Sequence, residues 1–244
     1  MDKRIVIIPT YNEKENIEAI IRKVFSLSIP FDVLIVDDNS PDGTGQIVKR
    51  LQQEFSKLHI LERKEKNGLG TAYIAGFRWC LKNNYDFIFE MDADFSHNPD
   101  DLIKLFQACE KGADMSIGSR YKTGVNVVNW PMSRVILSYY ASAYVRIITG
   151  MSIRDTTAGF VCYRKELLES IDLEKIKFRG YAFQIEMKFT AWKQGFTLEE
   201  VPIIFTDRTL GESKISSGII KEAIGGVLSM KIKSLFRKYP QKKA

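Results

Sequence analysis

Asp92 and Asp94 stand two positions apart in Glu90-Met91-Asp92-Ala93-Asp94-Phe95-Ser96-His97, directly after the apolar run Phe87-Ile88-Phe89. That run follows the turn-prone Lys82-Asn83-Asn84 and reads as a buried strand. At a strand's end this spacing lets both carboxylates reach one point just beyond the sheet. Two hard oxygen donors suit Mg2+ or Mn2+, which share their shell with substrate phosphates. The same acids also fit a solvated turn, so the remaining residues must decide.

Several cations are suited to phosphate. Arg120 lies in Gly118-Ser119-Arg120-Tyr121, Arg134 opens an apolar helix, and Arg208 and Lys214 sit in the stretch 207–214. A guanidinium fork matches phosphate oxygens bidentately. Each alone reads more readily as a surface charge than as a ligand, yet all fall in loops or at element ends on the expected ligand side. Asp37 and Asp38 end a second apolar strand, where a carboxylate accepts from a base or a ribose; an Asx-turn before Pro41-Asp42-Gly43 is the competing reading. Tyr11 and Glu13 end the first strand and offer a stacking face and an acceptor; Glu13 equally suits the first turn of a helix. Asp42 reads as a helix cap, and Gln184 and Glu186 as support for the site.

The elements that must position these groups alternate between strand and helix. Strands are expected at 4–8, 31–36, 57–61, 85–89, 114–118, 160–163 and 198–205. Helices are expected from Ile17, to about Phe55, from Gly68 to about Leu81, and over 99–110, 132–150, 182–194 and 216–237. Polar and Gly/Asp-rich loops follow the strands, which argues for a mostly parallel sheet covered by helices, with ligands outside the strand ends. Neither a G-x-G-x-x-G nor a G-x-x-x-x-G-K-[ST] segment is present, so the dinucleotide and P-loop readings lack their parts.

The chain of 244 residues is long enough for one α/β core. Its three cysteines, Cys80, Cys109 and Cys162, are isolated and odd in number, which predicts buried free thiols in a reducing compartment. No signal peptide is apparent, and the longest apolar run, Val135 to Val145, is too short to span a bilayer. The expectation is a cytoplasmic protein, peripheral on the cytosolic face of a membrane. The net charge of +6 suits anionic lipid, nucleic acid or phosphorylated substrates. Tyr139, Tyr140 and Tyr144 in the apolar helix fit either core packing or a headgroup layer. The tail helix, with Ile220, Ile224, Val227, Leu228 and Leu235 among lysines, fits either an interfacial helix or packing on the body.

Taken together, Pro9-Thr10-Tyr11-Asn12-Glu13, the stretch 36–44, Gly68-Leu69-Gly70-Thr71, Asp92-Ala93-Asp94, Gly118-Ser119-Arg120-Tyr121, Arg179-Gly180-Tyr181 and the stretch 207–214 resemble family 2 glycosyltransferases of GT-A fold. More narrowly, they resemble the dolichyl-phosphate (polyprenyl-phosphate) mannose synthases. The resemblance runs nearly the length of the chain. It implies a single GT-A domain over 1–215 and an amphipathic basic C-terminal segment over 216–244. It further implies GDP-mannose as donor, a polyprenyl or dolichyl phosphate as acceptor, Mg2+ or Mn2+ as cofactor, and a membrane surface or a membrane-anchoring partner protein.

By the same resemblance, Pro9, Tyr11, Glu13, Val36 and Asp38 match nucleoside-binding positions. Asp92, Ala93 and Asp94 match the metal–pyrophosphate motif. Arg120, Arg208 and Lys214 match donor-phosphate contacts, and Arg134 faces the acceptor phosphate. Ser96 stands where some relatives place a Gln metal ligand and would offer a shorter hydroxyl donor. The implied reaction is an inverting transfer giving a β-mannosyl-phosphate lipid, in which Asp94, Arg120 and Arg134 act on the reacting groups. Transfer from UDP-glucose or a UDP-amino sugar to polyprenyl phosphate is the nearest rival. A non-catalytic membrane-surface or nucleic-acid binding module is a second, but the basic residues do not alternate with aromatics along one face as base stacking requires.

Overall fold

The computed structural model describes residues 2–180, 182–208 and 217–242, and the side chains of 217–224 lie outside that description. Lys214, and the boundary expected at 215/216, therefore fall outside the described residues. Seven strands form the main sheet: β1 (Arg4–Thr10), β2 (Asp32–Asp37), β3 (Leu58–Glu62), β4 (Phe87–Glu90), β5 (Met115–Ser119), β7 (Val161–Arg164) and β8 (Leu198–Pro202). Their order is β3-β2-β1-β4-β7-β5-β8. All neighbours pair in parallel except β7, which runs antiparallel to both β4 and β5.

The central strands are apolar on both faces, as a covered parallel sheet requires. In β1, Val6 and Ile8 join one buried cluster, and Ile5 and Ile7 join the other. β2 divides the same way, Val33 and Ile35 against Leu34 and Val36. Helices α1 (Ile17–Phe25), α2 (Thr44–Leu51) and α4 (Asp101–Glu110) cover the first face, and α3 (Leu69–Lys82), α6 (Lys165–Ser170) and α7 (Ala182–Lys193) the second. Helix α1 buries Ile17, Ile20, Ile21 and Val24, one stripe at helical spacing. Each such side chain contributes roughly 1.5–3 kcal/mol relative to exposure.

The expected alternation is present, with shifts of one or two residues at most element ends; α2 ends at Leu51, short of Phe55, and α8 at Ser234, short of 237. Three features differ from expectation. The strand expected over 198–205 is two: β8 stops at Pro202, which has no N–H to extend the ladder, and β9 (Phe205–Thr206) pairs instead with the short β6 (Val127–Val128). The two-residue β6 and the one-and-a-half-turn α6 were too short to register as periodic patterns.

A third apolar cluster joins α5 (Met132–Thr149), α7 and α8 (Ser217–Ser234) through Val145, Ile185, Phe189, Val227 and Met230. So Val227 of the tail helix packs on the body, while Leu228 is 48% and Leu235 69% exposed. Helix α5 buries only Ser142, Val145 and Thr149; Met132, Ile136, Leu137, Tyr139, Tyr140 and Ile147 are exposed. Among the described residues no helix is long and apolar enough to cross a membrane. The three cysteines are buried and free.

Candidate active site

The carboxyl ends of β1, β2 and β4 lie side by side, since β1 pairs with both others. Each is followed by a non-glycine residue in the left-handed region: Asn12 (φ 57°), Asn39 (φ 58°) and Phe95 (φ 60°). Asn tolerates that conformation, but Phe does so at a cost of about 1–3 kcal/mol. Phe95 lies between Asp94 and Ser96, so the loop of the paired acids is held in a sharp, strained turn.

That turn is fixed from both sides. The Ser96 N–H donates to Asp94 Oδ1 at 3.0 Å. The Asp92 N–H donates to His97 Nδ1 at 3.3 Å. The His97 ring stacks on Phe160 at 4.8 Å and meets Phe205 edge-on at 5.4 Å. Burial pulls the His97 imidazole down to about 4, so it is a neutral acceptor at pH 7. Burial works to raise the Asp94 carboxyl, but Ser96 and the nearby Arg208 outweigh it and hold the group below the usual carboxylate range. Asp94 is therefore an anion despite being 6% exposed.

Four charged residues form a chain here. Arg208 Nη2 meets Asp94 Oδ2 at 2.9 Å. The Arg208 N–H donates to Asp207 Oδ1 at 3.2 Å. Arg134 Nη1 donates to the same Asp207 oxygen at 2.8 Å, and its guanidinium lies 4.0 Å from the Trp130 ring centre. The structure thus brings together Asp94, Arg208 and Arg134, from three distant parts of the sequence. Asp207 is what joins them.

Arg120 is 8% exposed and is held by Asp155: Nε donates to Oδ2 at 2.7 Å and Nη2 to Oδ1 at 2.6 Å. Nη2 also donates to Thr157 Oγ1 at 2.9 Å. Asp155 is held in turn by Glu200, whose Oε1 accepts from the Asp155 N–H and from Ser119 Oγ. Burial works to raise the Asp155 carboxyl, but the Arg120 guanidinium overrides it and keeps the group below its ordinary value.

At the β1 and β2 ends, Asp38 is 6% exposed and paired with Arg63, whose Nη1 donates to Oδ1 at 2.8 Å. Arg63 Nη2 also donates to Thr71 Oγ1 at 2.7 Å, tying the start of α3 to this edge. Tyr11 lies on the same edge, with Lys66 Nζ 4.4 Å from its ring centre. The Glu13 N–H donates to Thr44 Oγ1 at 3.0 Å. Pro9 and Val36 face each other in the β1–β2 register. Asp37 accepts from Thr10 Oγ1, Ser40 N and Ser40 Oγ, so its role is the turn. Asp42 accepts from the Thr44 N–H and hydroxyl in an Asx-turn; it is not the helix cap expected, since the N-cap position of α2 is Gly43.

Behind the paired acids, Glu90 accepts from Gln184 Nε2 at 2.7 Å. Lys188 Nζ donates to the Ala158 carbonyl at 2.6 Å. Burial pushes Glu90 up and Lys188 down. Glu186 Oε2 accepts from the Lys177 and Phe178 N–H groups. Gln184 thus holds Glu90 at the end of β4, and Glu186 holds the loop before α7.

The donors at the paired acids suit a divalent ion that brings part of its own shell. Among the described residues no cluster of three or more His, Cys, Asp or Glu could hold a metal by itself. Asp92 and Asp94 supply two hard donors, Ala93 between them is 4% exposed, and Ser96 Oγ is buried without a well-formed hydrogen bond. A site short of protein ligands fits Mg2+ or Mn2+, which complete their shell with water and phosphate oxygens.

Arg63, Asp155 and Asp207 went unassigned in the sequence. Arg63 carried a signal, a basic residue one position past a strand end. Asp155 and Asp207 carried none, since a single acid in a loop has no periodicity.

A mostly parallel sheet with paired acids and cations at its carboxyl edge is compatible with sugar transfer, and the sequence matches the family described as glycosyl transferase family 2 over residues 5–172. The chain belongs to that family. It is 47% identical over 91% of its length to the polyprenol monophosphomannose synthase of Mycolicibacterium smegmatis, covering 84% of that protein. It is equally 47% identical, over 91% of both chains, to the undecaprenyl-phosphate mannosyltransferase of Micrococcus luteus. Among solved structures, a mannosyltransferase from Pyrobaculum calidifontis in complex with GDP-Man and Mn2+ superposes with a TM-score of 0.62 at 17% identity, covering 100% of this chain and 66% of that one. Glucosyl-3-phosphoglycerate synthase from Mycobacterium tuberculosis, in complex with Mn2+, UDP and glucosyl-3-phosphoglycerate, gives 0.63 at 16% identity, covering 100% and 82%. At such identities these two establish the fold.

Proposed function

We propose that this protein transfers mannose from GDP-mannose to a polyprenyl phosphate, with inversion, at the carboxyl edge of β1, β2 and β4. The observation that carries the reading is the chain Asp94–Arg208–Asp207–Arg134. Two cations at one edge are balanced there by two acids, an arrangement suited to accepting two phosphorylated reactants. The 47% identity to two polyprenyl-phosphate mannosyltransferases supports the choice of sugar and acceptor.

Asp92, Asp94 and the Ser96 hydroxyl would hold Mg2+ or Mn2+. When bound, the ion supplies Lewis-acid stabilisation of charge on the departing diphosphate. Arg208 sits against Asp94 and would add positive charge at the same place. Lys214 belongs to the same expectation from outside the described residues. Pro9, Tyr11, Glu13, Val36 and Asp38 would hold the nucleoside, with Arg63 orienting Asp38. Arg134 would bind the acceptor phosphate. Arg120, held by Asp155, would keep positive potential between the two anions.

A phosphate oxygen is already an anion at pH 7, so attack on the anomeric carbon needs no strong general base. His97, the nearest imidazole, is buried and committed to the Asp92 N–H, which agrees with that economy. In-line displacement inverts an α-linked donor sugar to a β-mannosyl phosphate. The exposed apolar side chains of α5 and α8 suit a lipid acceptor presented from a membrane surface. A membrane-anchoring partner protein belongs to the same proposal.

The test is a labelled-sugar assay with a short polyprenyl phosphate, offering GDP-mannose and UDP-glucose in parallel, with and without Mn2+ or Mg2+. Mannosyl lipid should form from GDP-mannose and only with metal. Preferred glucose transfer would replace the donor assignment. Absence of any transfer, with a folded protein and all components present, would overturn the reading.

A further inference from the structure

On the flank of α5, apart from the paired acids, lies a surface cavity of about 300 Å³ lined by Tyr121, Tyr139, Ala143, Arg146 and Arg154. Its chemistry is that of an anion site with an apolar rim. Arg146, in the last turn of α5, and Arg154, in the following loop, pair with no carboxylate side chain among the described residues. Arg154 Nη1 donates to the Lys122 carbonyl at 3.1 Å, which steadies it and leaves its other N–H groups available. Glu200 comes near, but it accepts from the Arg154 backbone N–H at 2.9 Å and is otherwise engaged by Asp155 and Ser119.

A second observation points to a ligand. Tyr121 is 3% exposed, yet its hydroxyl makes no well-formed hydrogen bond. With only Ser138 nearby and no well-aligned partner, the buried phenol carries a desolvation cost. A bound acceptor would remove that cost. The Tyr121 ring is fixed edge-on against Tyr139 at 5.5 Å, with the Arg120 guanidinium 5.4 Å from its centre. Tyr121 thus forms a wall of the cavity held in place by its neighbours.

The surroundings decide the source of the anion. Ile136, Tyr139, Tyr140 and Ile147 of α5 are all 47% or more exposed. A soluble phosphate ester would gain nothing from that apolar surface. A phospholipid would set its acyl chains against it, and tyrosines favour the headgroup layer.

We propose that the Tyr121–Tyr139–Arg146–Arg154 cavity is a head-group site for the phosphodiester of an anionic phospholipid. The site holds α5 against the bilayer. It does not depend on the transferase reading, and binding is measured without turnover.

The full chain would be tested for co-sedimentation with phosphatidylcholine vesicles, with and without phosphatidylglycerol. R146Q/R154Q should weaken binding to the phosphatidylglycerol vesicles at least about tenfold, at roughly a factor of five per arginine near an anionic surface. It should leave binding to pure phosphatidylcholine unchanged. R146K/R154K, which keeps both charges, should retain most of the affinity. K82Q/K111Q removes the same charge from exposed sites on α3 and after α4, and should change affinity less than about twofold. Tyr121→Phe should give a smaller loss, about threefold or more, because it removes the hydroxyl alone. Equal losses for R146Q/R154Q and K82Q/K111Q would reduce the site to net charge and overturn the proposal. So would an equal loss on neutral vesicles. Displacement of the protein from vesicles by millimolar glycerophosphate would assign the cavity to a soluble ester and overturn the lipid assignment.

Discussion

At the level of single residues, the proposed reaction rests most on Asp94 and Arg134. Asp94 is anionic, nearly buried, and already opposed by a guanidinium at 2.9 Å. Asp94→Asn keeps shape but removes the charge that a divalent ion requires. Turnover should fall by about a hundredfold to a thousandfold or more, the range for losing one electrostatic contact to the transition state. The melting temperature should stay close to the parent's, and a variant with normal rates would remove the metal role. Arg134→Ala tests the other anion. Loss of a charge-assisted hydrogen bond of about 1.5–3 kcal/mol should raise the KM for polyprenyl phosphate roughly tenfold to a hundredfold. The KM for the sugar nucleotide should stay nearly constant, and equal effects on both substrates would contradict the assignment.

At the scale of elements, the site depends on how closely α3 and α7 approach. Gly70 is the second residue of α3. A Cβ there would lie 2.8 Å from the Phe183 ring and 2.9 Å from the Phe178 carbonyl. The Gly70 N–H also donates to the Arg179 carbonyl at 2.8 Å, so the helix start is seated on the loop before α7. Neither Phe183, 0% exposed, nor a backbone carbonyl can yield easily. Gly70→Ala should therefore destabilise the protein by about 1–3 kcal/mol, despite its better helix propensity. Chemical denaturation would measure it; an unchanged midpoint would mean that the two helices separate at little cost. Activity should fall further than stability alone explains, because α3 carries Thr71, the second anchor of Arg63.

For the whole molecule, the buried Arg120–Asp155 pair links the catalytic edge to the far end of the sheet through Glu200 on β8. Asp155→Asn would leave Arg120 buried and only partly compensated. That should cost about 3–5 kcal/mol, or roughly 6–20 °C in melting temperature for a chain of this size. The same pair sets a pH dependence. The folded-state pKa of Asp155 lies below its unfolded value of about 4. Its stabilisation is thus complete above that value. As pH falls below about 4 the unfolded chain takes up the proton first, and stability is lost. Melting temperatures measured between about pH 5 and pH 3 should fall, and the fall should be shallower in Asp155→Asn. Equal slopes in the two proteins would place the acid sensitivity elsewhere.

The strand–helix alternation, the parallel core and the acid-rich loops were legible from the residues alone. Hydrophobic periodicity and turn chemistry are local properties, and the apolar strands of β1, β2 and β4 state them without ambiguity. Asp92 and Asp94 were legible for the same reason, two acids at a fixed spacing after an apolar run. Tertiary structure alone decided which residues meet. Asp207 holds Arg134, Asp155 grips Arg120, and Arg63 holds Asp38, each across 25 or more positions. A charge pair at that separation leaves no periodic mark in the sequence, because its energy depends on burial and geometry that only the folded chain creates. The reversed direction of β7 was hidden for the same reason, since a strand's own residues do not record the orientation of its neighbours.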